Sequence, residues 1–372
     1  MAHRVLIAPD KFKGTLSAPE ATQAIATGWR QARPEDALIL QPISDGGDGF
    51  GSLMAEALEA KSTDCATINA NGAPLNASYW ITPDDTAIIE SANIIGLAML
   101  SLDQRQPLIN DSTGLGRVLL HATASGARKV VIGVGGSATN DAGFGMARAL
   151  GWEFRNHSGC LIDQWPDLVQ LQTVTPPPET DLPSVTVAVD VQNPLLGPEG
   201  CTRVYGPQKG IQPEDLPRAE QALERLATVM QSEHDGDASR PGSGAAGGLG
   251  FGLHCFAHAT LEPGFELFAN AVNLKSTISD CDWVITGEGA MDRQTAMGKG
   301  VGQLAKLAAA NECRCIGLAG MIADAPQLEC DYAVLRGLNE ITTPELAQED
   351  AAHWLELLAR RTAEQFTGTE PR

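Results

Sequence analysis

The chain has 372 residues, of which 43% are hydrophobic and 19% are charged, a composition typical of globular proteins that excludes a disordered chain. A single hydrophobic core usually stops growing near ~250–300 residues, so we expect two domains. The 46 acidic and 26 basic residues give a net charge of −20, which argues against nucleic acid or an anionic membrane as the main partner.

Signals for export or membrane insertion are missing from the sequence. No apolar stretch approaches the ~20 residues that a transmembrane helix needs. The first ten residues lack the longer apolar region and the cleavage site of a secretory signal. The eight cysteines are scattered without a C-x-x-C pair, which in a long chain favours reduced thiols over a disulfide framework. We therefore expect a soluble, cytoplasmic protein.

The first sixty residues predict two β–α units. A short apolar run over residues 5–8 predicts a strand. Ser17 and Glu20 form a capping-box pattern, which predicts that a helix begins between them. A strand over 37–43, a Gly-rich loop over 44–49 and a helix over 50–60 follow.

The middle and the end of the chain differ in the order of their predicted strands and helices. In the middle we predict short strands within 66–90, a helix over 113–126, strands over 129–134 and 185–189, and a helix over 214–231. The last hundred residues return to regular alternation, with strands over 282–286, 315–319 and 332–335, a loop over 287–298 and helices over 299–311 and 344–366.

Because both ends of the chain alternate strands and helices regularly and the middle does not, we predict an α/β protein with one domain inserted into another. The first domain is formed by residues 1–63 and 276–372, and a second α/β domain is formed by residues 64–275. Adjacent chain ends make such insertions common.

The chemically rich segments follow predicted strands. Ligands of open α/β sheets bind in the crevice at the carboxyl ends of the strands, so these segments are candidate site loops. The loops cover residues 10–15, 44–49, 135–141, 190–194 and 287–299, with two further Gly-rich segments at 206–210 and 244–250.

The segment 135–141 has the composition of a phosphate-binding loop. Its paired glycines allow close backbone approach to an anion, and the helix predicted to follow would offer N–H groups and a partial positive charge. The alternative is an ordinary helix N-cap after a tight turn, formed by Thr139, Asn140 or Asp141. The residues concerned are Gly135, Gly136, Ser137, Thr139, Asn140 and Asp141.

Lysines and carboxylates recur in the same loops. Lysines suit polyphosphate as point charges, and carboxylates suit Mg²⁺, which takes one or two protein ligands and keeps waters. Together they indicate phosphoryl transfer achieved by positioning and electrostatics. The lysines are Lys11, Lys13, Lys209 and Lys299, and the acids are Asp45, Asp48, Asp190, Glu288 and Asp292.

At these loops the sequence resembles the type 1 glycerate kinases of bacteria, a family that includes glycerate 2-kinases. The resemblance spans nearly the whole chain. It is carried by Ala8-Pro9-Asp10, Phe12-Lys13-Gly14, Leu16-Ser17-Ala18, Asp45-Gly46-Gly47, residues 135–141, Asp190-Val191, Asn193-Pro194-Leu195, residues 206–210 and 244–250, Thr286-Gly287-Glu288-Gly289, Asp292, Gln294-Thr295 and Gly298-Lys299.

The resemblance implies a flavodoxin-like three-layer domain built from both chain ends, an inserted second α/β domain, and an active site in the cleft between them. It also implies ATP-dependent phosphorylation of D-glycerate, usually at the 2-hydroxyl, giving 2-phosphoglycerate. One departure concerns the substrate. The family usually has Arg directly after Gly-Glu-Gly, where this chain has Ala290, and Arg293 is the nearest residue that could compensate.

For the mechanism we predict direct in-line transfer from MgATP. Either Asp190 or Asp45 accepts the hydroxyl proton, because each follows a predicted strand, and the other of the two binds Mg²⁺. Lys13 is the third predicted catalytic residue. The predicted Mg²⁺ ligands are Asp45, Glu288 and Asp292. The predicted substrate- or nucleotide-binding residues are Asp10, Lys11, Gly46, Gly47, Gly135, Gly136, Ser137, Thr139, Asn140, Asp141, Asn193, Lys209, Gly247, Gly248, Arg293 and Lys299.

Three alternatives stay open. The chain could be a kinase of another small hydroxy acid, or a non-catalytic protein that binds a nucleotide or a sugar acid. A nicotinamide-dependent oxidoreductase would need G-x-G-x-x-G directly after a strand. The match at residues 242–247 instead follows a polar loop. The sequence leaves open a homo-oligomer and the choice between the 2- and 3-hydroxyl.

Overall fold

The structure is a computed structural model that describes residues 2–178, 181–234, 236–296, 300–323 and 332–365. The chain forms two compact units. Unit 1 comprises Met1–Asp45 and Phe265–Arg372, and unit 2 comprises Gly46–Gly264.

The strands of the described residues are, in chain order, β1 (Arg4–Ile7), β2 (Ala37–Leu40), β3 (Lys61–Ile68), β4 (Pro74–Ile81), β5 (Thr86–Glu90), β6 (Lys129–Gly133), β7 (Glu153–Asn156), β8 (Leu171–Thr175), β9 (Ser184–Val189), β10 (Thr260–Pro263), β11 (Trp283–Met291), β12 (Arg314–Ile322) and β13 (Val334–Gly337).

The α-helices of the same residues are α1 (Ala18–Ala32), α2 (Phe50–Ala57), α3 (Ala92–Ile95), α4 (Thr113–Ala124), α5 (Phe144–Ala149), α6 (Cys201–Lys209), α7 (Leu216–His234), α8 (Ala245–Ala257), α9 (Gly264–Ala271), α10 (Leu274–Ser279), α11 (Arg293–Ala296), α12 (Gly300–Ala310), α13 (Pro344–Glu349) and α14 (Ala351–Gln365). Short 3₁₀ turns lie at Leu97–Met99, Leu102–Gln104, Trp165–Gln170 and Leu338–Glu340.

Unit 1 contains a five-stranded sheet in the order β13-β12-β11-β1-β2. All neighbouring pairs are parallel, with Val5 opposite Trp283 and Ile7 opposite Ile285. The apolar residues of these strands pack with α1 and α14 in one core. Helices α1 and α14 approach closely at Gly28, where a Cβ would collide with the backbone of Glu356. A parallel sheet places all of its strand ends on one edge, and the loops of that edge are candidate site loops.

The predicted capping box at the start of α1 is confirmed. The Ser17 backbone N–H donates to the Glu20 carboxylate at 2.8 Å, and the Glu20 N–H donates to the Ser17 hydroxyl at 3.4 Å. Replacing Ser17 by Ala is expected to lower the free energy of unfolding by about 1 kcal/mol, the usual cost of losing an N-cap. Urea unfolding measures this. Ser62→Ala, an exposed strand position, is the control, and an equal loss there would contradict the role of the cap.

Unit 2 contains a six-stranded sheet in the order β10-β9-β6-β5-β4-β3. The pairs from β10 to β5 are parallel, and β4 and β3 are joined antiparallel at one edge. Strands β7 and β8 form a separate antiparallel pair. Buried residues from the sheet, α4, α5, α7 and α8 form a second core. The carboxyl ends of β6 and β9 are therefore neighbours, which brings together the loops that follow them.

The boundaries of the compact units differ from the predicted domain boundaries. A boundary at 63/64 would cut β3, which begins at Lys61 and pairs along its whole length with β4. Helix α2 also belongs to unit 2, because the Phe50 ring covers Gly133 of β6. The unit boundaries lie instead at 45/46 and 264/265.

Three predicted elements also need correction. The loop predicted over 287–298 begins later, because β11 continues to Met291 in register with β12. The single closing helix predicted over 344–366 is interrupted at Asp350, whose φ of −142° and ψ of 65° are not helical. The helix after residues 135–141 begins only at Phe144. Within the described ranges, no helix is both long enough and apolar enough to cross a membrane.

Candidate active site

Three carboxylates of unit 1 lie on or after the adjacent strands β2, β1 and β11. Asp10 follows β1, Asp45 follows β2, and Glu288 lies near the end of β11. The Asp10 backbone N–H donates to the Gly287 carbonyl at 2.9 Å, which extends the β1–β11 pairing to the acid itself. Asp10 is only 8% exposed, and the other two carboxylates are half-buried. The parallel sheet thus brings together three acids that are far apart in sequence.

Burial raises the pKa of Asp10 to about 7, and the negative charges of Asp45 and Glu288 contribute to the rise. The Lys11 backbone N–H, which donates to Asp10 Oδ1 at 2.7 Å, opposes that shift. A carboxyl group with a pKa near neutrality exchanges a proton readily at physiological pH. Strongly perturbed carboxyls of this kind are typical of acid–base sites.

Thr295 fixes the position of Glu288. Its buried hydroxyl donates to Glu288 Oε1 at 2.6 Å and accepts the Asp292 backbone N–H at 3.2 Å. Glu288 is therefore held by a side chain seven residues later. The structure gives Asp292 a place one residue beyond β11.

Asp45 lies beside the N-terminus of α12. A Cβ at Gly300 would come within 3.1 Å of the Asp45 Cβ, so only glycine allows this approach without displacement. The first turn of α12 carries a partial positive charge that stabilises a nearby carboxylate. Lys299, predicted to bind anions here, lies outside the described residues.

The predicted basic residues of unit 1 differ in exposure. Lys11 is half-buried, whereas Lys13 and Arg293 are exposed. Lys11 and Lys13 flank Phe12, whose buried ring and backbone hydrogen bonds with Leu16 close a tight turn. The turn presents Lys13 to solvent, where it can meet an anionic ligand.

Mg²⁺ is the metal ion predicted to bind these acids. Among the described residues, no group of three or more His, Cys, Asp or Glu side chains is arranged to hold a metal ion. Mg²⁺ needs no such cage, because it usually takes one or two carboxylates together with waters and phosphate oxygens. The crowding of negative charge around Asp10 fits a site that a divalent cation would stabilise.

In unit 2 the glycine loops pack directly on each other. A Cβ at Gly135 would lie 2.7 Å from the Cα of Gly47, and one at Gly46 would lie 3.4 Å from the Cβ of Ala188. Gly46 also has φ +101°, a conformation that favours glycine. The predicted loop glycines are therefore required for the close approach of backbone segments at the ends of β6 and β9.

Asp141, a predicted ligand-binding residue, lies in the interior of unit 2 and accepts hydrogen bonds from two other segments. It is fully buried and accepts hydrogen bonds from Ser112 (backbone N–H at 2.9 Å and hydroxyl at 2.7 Å) and from the Gly145 N–H at 2.9 Å. The Ser112 hydroxyl in turn accepts the Met146 N–H. Donors at the start of α5 that were predicted to face an anion are thus already occupied. Burial raises the pKa of Asp141, and the charge of Asp111 adds to the shift.

Lys209 is also placed differently from the prediction. It is the last residue of α6, not a loop residue, and it is only 3% exposed. Its ammonium donates to the Thr139 carbonyl at 2.6 Å and to the Ser137 hydroxyl at 3.0 Å. Asn140, buried beside them, donates to the Thr202 hydroxyl at 3.0 Å. The 135–141 segment is therefore held by side chains of α6.

The segment 244–250 lies against the same loop. Its helical backbone geometry is interrupted by three consecutive left-handed residues, Ala246, Gly247 and Gly248. The Gly247 carbonyl accepts the Ala142 N–H at 3.1 Å, and the Ala246 carbonyl accepts the Ser137 hydroxyl at 2.9 Å. The 135–141 loop and the 244–250 segment are thus hydrogen-bonded to each other.

Asp190 and Asn193 follow β9. Asp190 is exposed. Burial raises the pKa of Tyr205 to about 12, and the Asp190 charge contributes to the rise. Asn193 accepts the Tyr205 hydroxyl at 2.8 Å and donates to the Glu199 carbonyl at 2.8 Å. Asn193 therefore orders the loop after β9, while Asp190 faces solvent at its start.

Replacing Gly247 by Ala is expected to destabilise unit 2. The new Cβ would collide with the Thr139 carbonyl oxygen and lie 2.8 Å from Lys209 Nζ, at a φ of +75°. Gly72→Ala is the matched control, because Gly72 has φ +84° with nothing within 4 Å. Left-handed strain of ~1–2 kcal/mol applies to both, and overpacking adds roughly 1–3 kcal/mol at Gly247 alone. Urea unfolding measures both losses, and equal losses would contradict the tight packing.

Several residues that build the site were not predicted. Thr295 and Thr202 position predicted site residues, and Ser112 holds Asp141. Glu90, at the end of β5, accepts the Gly49 N–H at 2.5 Å and the Gly51 N–H at 3.2 Å, and so caps α2. An acid ending an apolar strand was a signal for Glu90. No local sequence pattern indicates the hydrogen bonds of Thr295, Thr202 and Ser112, because folding alone brings them to their partners.

In this α/β protein, carboxylates cluster at the strand ends of a parallel sheet, the usual place for a ligand site. Comparison with known proteins identifies its family. Residues 5–367 match the family model described as "Glycerate kinase family". The chain belongs to the glycerate kinase family, and it is an enzyme of the kinase class.

Individual relatives agree with this result. The chain is 37% identical to the glycerate 2-kinase of Escherichia coli over 86% of each chain. It is 36% identical to the glycerate kinase of Bacillus subtilis over 97% of each. A crystal structure provisionally described as glycerate kinase 2 of Salmonella typhimurium LT2 is 34% identical, covers 98% of each chain and superposes with a TM-score of 0.80.

Proposed function

We propose that this protein transfers the γ-phosphoryl group of ATP to the 2-hydroxyl of D-glycerate, giving 2-phosphoglycerate. The observation that carries the proposal is the carboxylate group Asp10, Asp45 and Glu288 in a member of the glycerate kinase family. The name of the Escherichia coli relative, glycerate 2-kinase, supports the 2-hydroxyl as acceptor. Phosphoryl transfer needs a positioned carboxylate to orient the attacking hydroxyl and accept its proton.

Asp45 and Asp190 are the candidates for that proton acceptor. Asp45 is half-buried beside the start of α12, and Asp190 is exposed at the end of β9. Asp10, with its pKa near 7, is a third carboxyl able to exchange a proton at neutral pH. Lys13 neutralises phosphate or carboxylate charge from its exposed turn.

Asp45 and Glu288, with Asp292, would hold Mg²⁺. Bound Mg²⁺ would neutralise developing charge on the transferring phosphoryl group. The three carboxylates would contribute oxygen ligands, and Thr295 keeps Glu288 in a fixed orientation.

The Gly-rich loops of unit 2 are proposed to bind the triphosphate. Gly136, which is exposed, and Gly247, which is buried, both have positive φ values, which orient backbone N–H groups in directions that ordinary residues rarely give. Unit 1 is proposed to be flavodoxin-like. Numbered within the unit, its strand order is 2-1-3-4-5, and Asp10 and Glu288 lie at the switch point where that order reverses.

The test is ADP release from MgATP with and without D-glycerate, followed by NMR of the product. Glycerate-dependent ADP release with phosphorus coupled to the C2 proton is the expected result. Coupling to the C3 protons would move the acceptor to the 3-hydroxyl. MgATP binding without ADP release on any hydroxy acid would replace the kinase proposal by nucleotide binding alone.

A second candidate, a kinase of another small hydroxy acid, is favoured by Ala290. This residue is exposed on β11 at the position where the resembling family usually has Arg. Without that guanidinium the preference for the glycerate carboxylate can differ. Comparing kcat/KM for glycerate with that for other 2-hydroxy acids distinguishes the two.

A further inference from the structure

The buried ammonium of Lys209 links two separate loops of unit 2. Nζ donates to the Thr139 carbonyl and to the Ser137 hydroxyl at 2.6 and 3.0 Å. The Ser137 hydroxyl then donates to the Ala246 carbonyl at 2.9 Å. A continuous chain of hydrogen bonds therefore runs from α6 through the 135–141 loop to the turn at 246–248.

That turn has a conformation which needs support. Ala246 has φ +56°, a left-handed value that an L-residue with a Cβ adopts at a cost. Gly247 and Gly248 continue the left-handed run, and Gly248 packs against Ala142. The Ser137 hydroxyl donates to the Ala246 carbonyl, and Lys209 Nζ donates to the Ser137 hydroxyl. Lys209 therefore acts on the strained residue Ala246 indirectly, through Ser137.

Hydrogen bonds that only join two backbone segments would not require a charged side chain at position 209. Within the described part of the chain, no carboxylate lies within ion-pairing distance of Lys209 Nζ, and the more distant charge of Asp141 only partly offsets the unfavourable burial of the ammonium. Burial lowers the pKa of Lys209 to about 8, because the charged form is less stable in the interior than in water. Neutral side chains could join two backbone segments at a lower cost. Such costly groups cluster at functional sites.

We propose that Lys209 is a positioning residue for nucleotide binding, which acts through Ser137 on the turn at 246–248 and does not itself contact the phosphates. The proposal rests on the proposed function, because it assumes that these loops bind MgATP. Charge on Lys209 strengthens its hydrogen bonds, so the positively charged form is the form that holds the turn.

Two ionisable groups, Cys201 and Asp141, influence the titration of Lys209. Cys201, on the same helix, has a pKa raised by burial to about 12 and stays a neutral thiol below that pH. Asp141, from the loop after β6, also influences Lys209, and its own pKa is raised by burial. Between pH 7 and 9 Lys209 changes charge while the Cys201 thiol stays neutral.

Calorimetric titration with MgATP tests the proposal. Lys209→Met is expected to weaken MgATP binding at pH 7 by at least ~10-fold, the scale of losing a hydrogen bond from a charged group. Ser137→Ala removes the middle of the chain and should weaken binding similarly. The double variant should be little worse than either single variant, because both break the same connection.

The pH profile separates positioning from simple loss of stability. Wild-type affinity for MgATP should fall as the pH rises through about 8, and the affinity of Lys209→Met should stay flat over that range. Lys129→Met, at the exposed opposite end of β6, is the matched substitution and should keep the wild-type affinity and profile. Leu226→Ala, in the buried face of α7, is destabilised without touching either loop and should also keep the affinity.

The outcomes distinguish this inference from the proposed function. Affinity and pH profile of Lys209→Met within ~2-fold of wild type would overturn the inference while the kinase proposal stands. No MgATP binding by the wild-type protein would overturn both. If Lys209→Met fails to fold, Ser137→Ala decides: unchanged affinity in that variant overturns the inference.

Discussion

Replacing Asp45 by Asn is expected to lower turnover by at least ~100-fold while leaving the fold intact. A general acid–base group contributes ~10²–10⁴-fold to rate, and Asn keeps the size of the side chain but cannot accept a proton. Asp45 is half-buried beside Gly300 and the start of α12, so the loss should appear in kcat. Asp190→Asn should cause a comparable loss if it is the proton acceptor.

Steady-state kinetics at saturating MgATP and D-glycerate measure both variants. Asp280→Asn in unit 1 and Asp64→Asn in unit 2 are matched controls, because both are exposed acids away from the strand ends. A large loss in Asp190→Asn alone identifies Asp190 as the base. A large loss in Asp45→Asn alone identifies Asp45 as the base only if raising the Mg²⁺ concentration does not restore turnover, because Asp45 is also a proposed Mg²⁺ ligand. If both variants keep turnover within ~3-fold of wild type, neither residue is the base and Asp10 becomes the candidate.

Much of the fold could be predicted from local patterns. The apolar runs before Asp10 and Asp190 are strands, and the Ser17–Glu20 pattern does begin a helix. The sequence periodicity placed the element boundary wrongly where pairing between strands determines the structure. The Gly-Glu-Gly segment of β11 has poor strand propensity, yet Gly287 permits close approach to Leu318 and the segment pairs with β12. The break at Asp350 interrupts an otherwise helical pattern without a Pro or Gly to signal it.

The site was predictable in part for a related reason. Loops at strand ends were identified from the sequence, because the carboxyl edge of a parallel sheet is where they converge. Whether a polar residue faces solvent or the interior depends on contacts distant in sequence. Lys209 and Ser137 are 72 residues apart, and Asp141 and Ser112 are 29 apart. No local spacing shows that Lys209 and Asp141 are buried, so both were predicted to meet the ligand.

Asp10 should make the stability of unit 1 fall as the pH rises from about 4 to about 7. Its pKa is raised from 3.8 to about 7 in the folded protein, first by burial and then by the charge of Asp45. The native state therefore binds the proton more tightly than the unfolded chain. Its stabilising contribution is complete below pH ~4 and lost above pH ~7, and the shift corresponds to about 4 kcal/mol.

Asp10→Asn tests this directly, because Asn is neutral at every pH and can still accept the Lys11 N–H through its side-chain oxygen. The variant should match wild type in free energy of unfolding near pH 4 and exceed it by several kcal/mol at pH 8. Urea unfolding, followed by fluorescence of the buried Trp29 and Trp283 of unit 1, measures the difference. Asp280→Asn, an exposed acid of the same unit, should show no such trend. A constant difference between Asp10→Asn and wild type across this range would show that the pKa of Asp10 is not raised in the folded protein, and that a bound cation or a basic group offsets burial and the charges of Asp45 and Glu288.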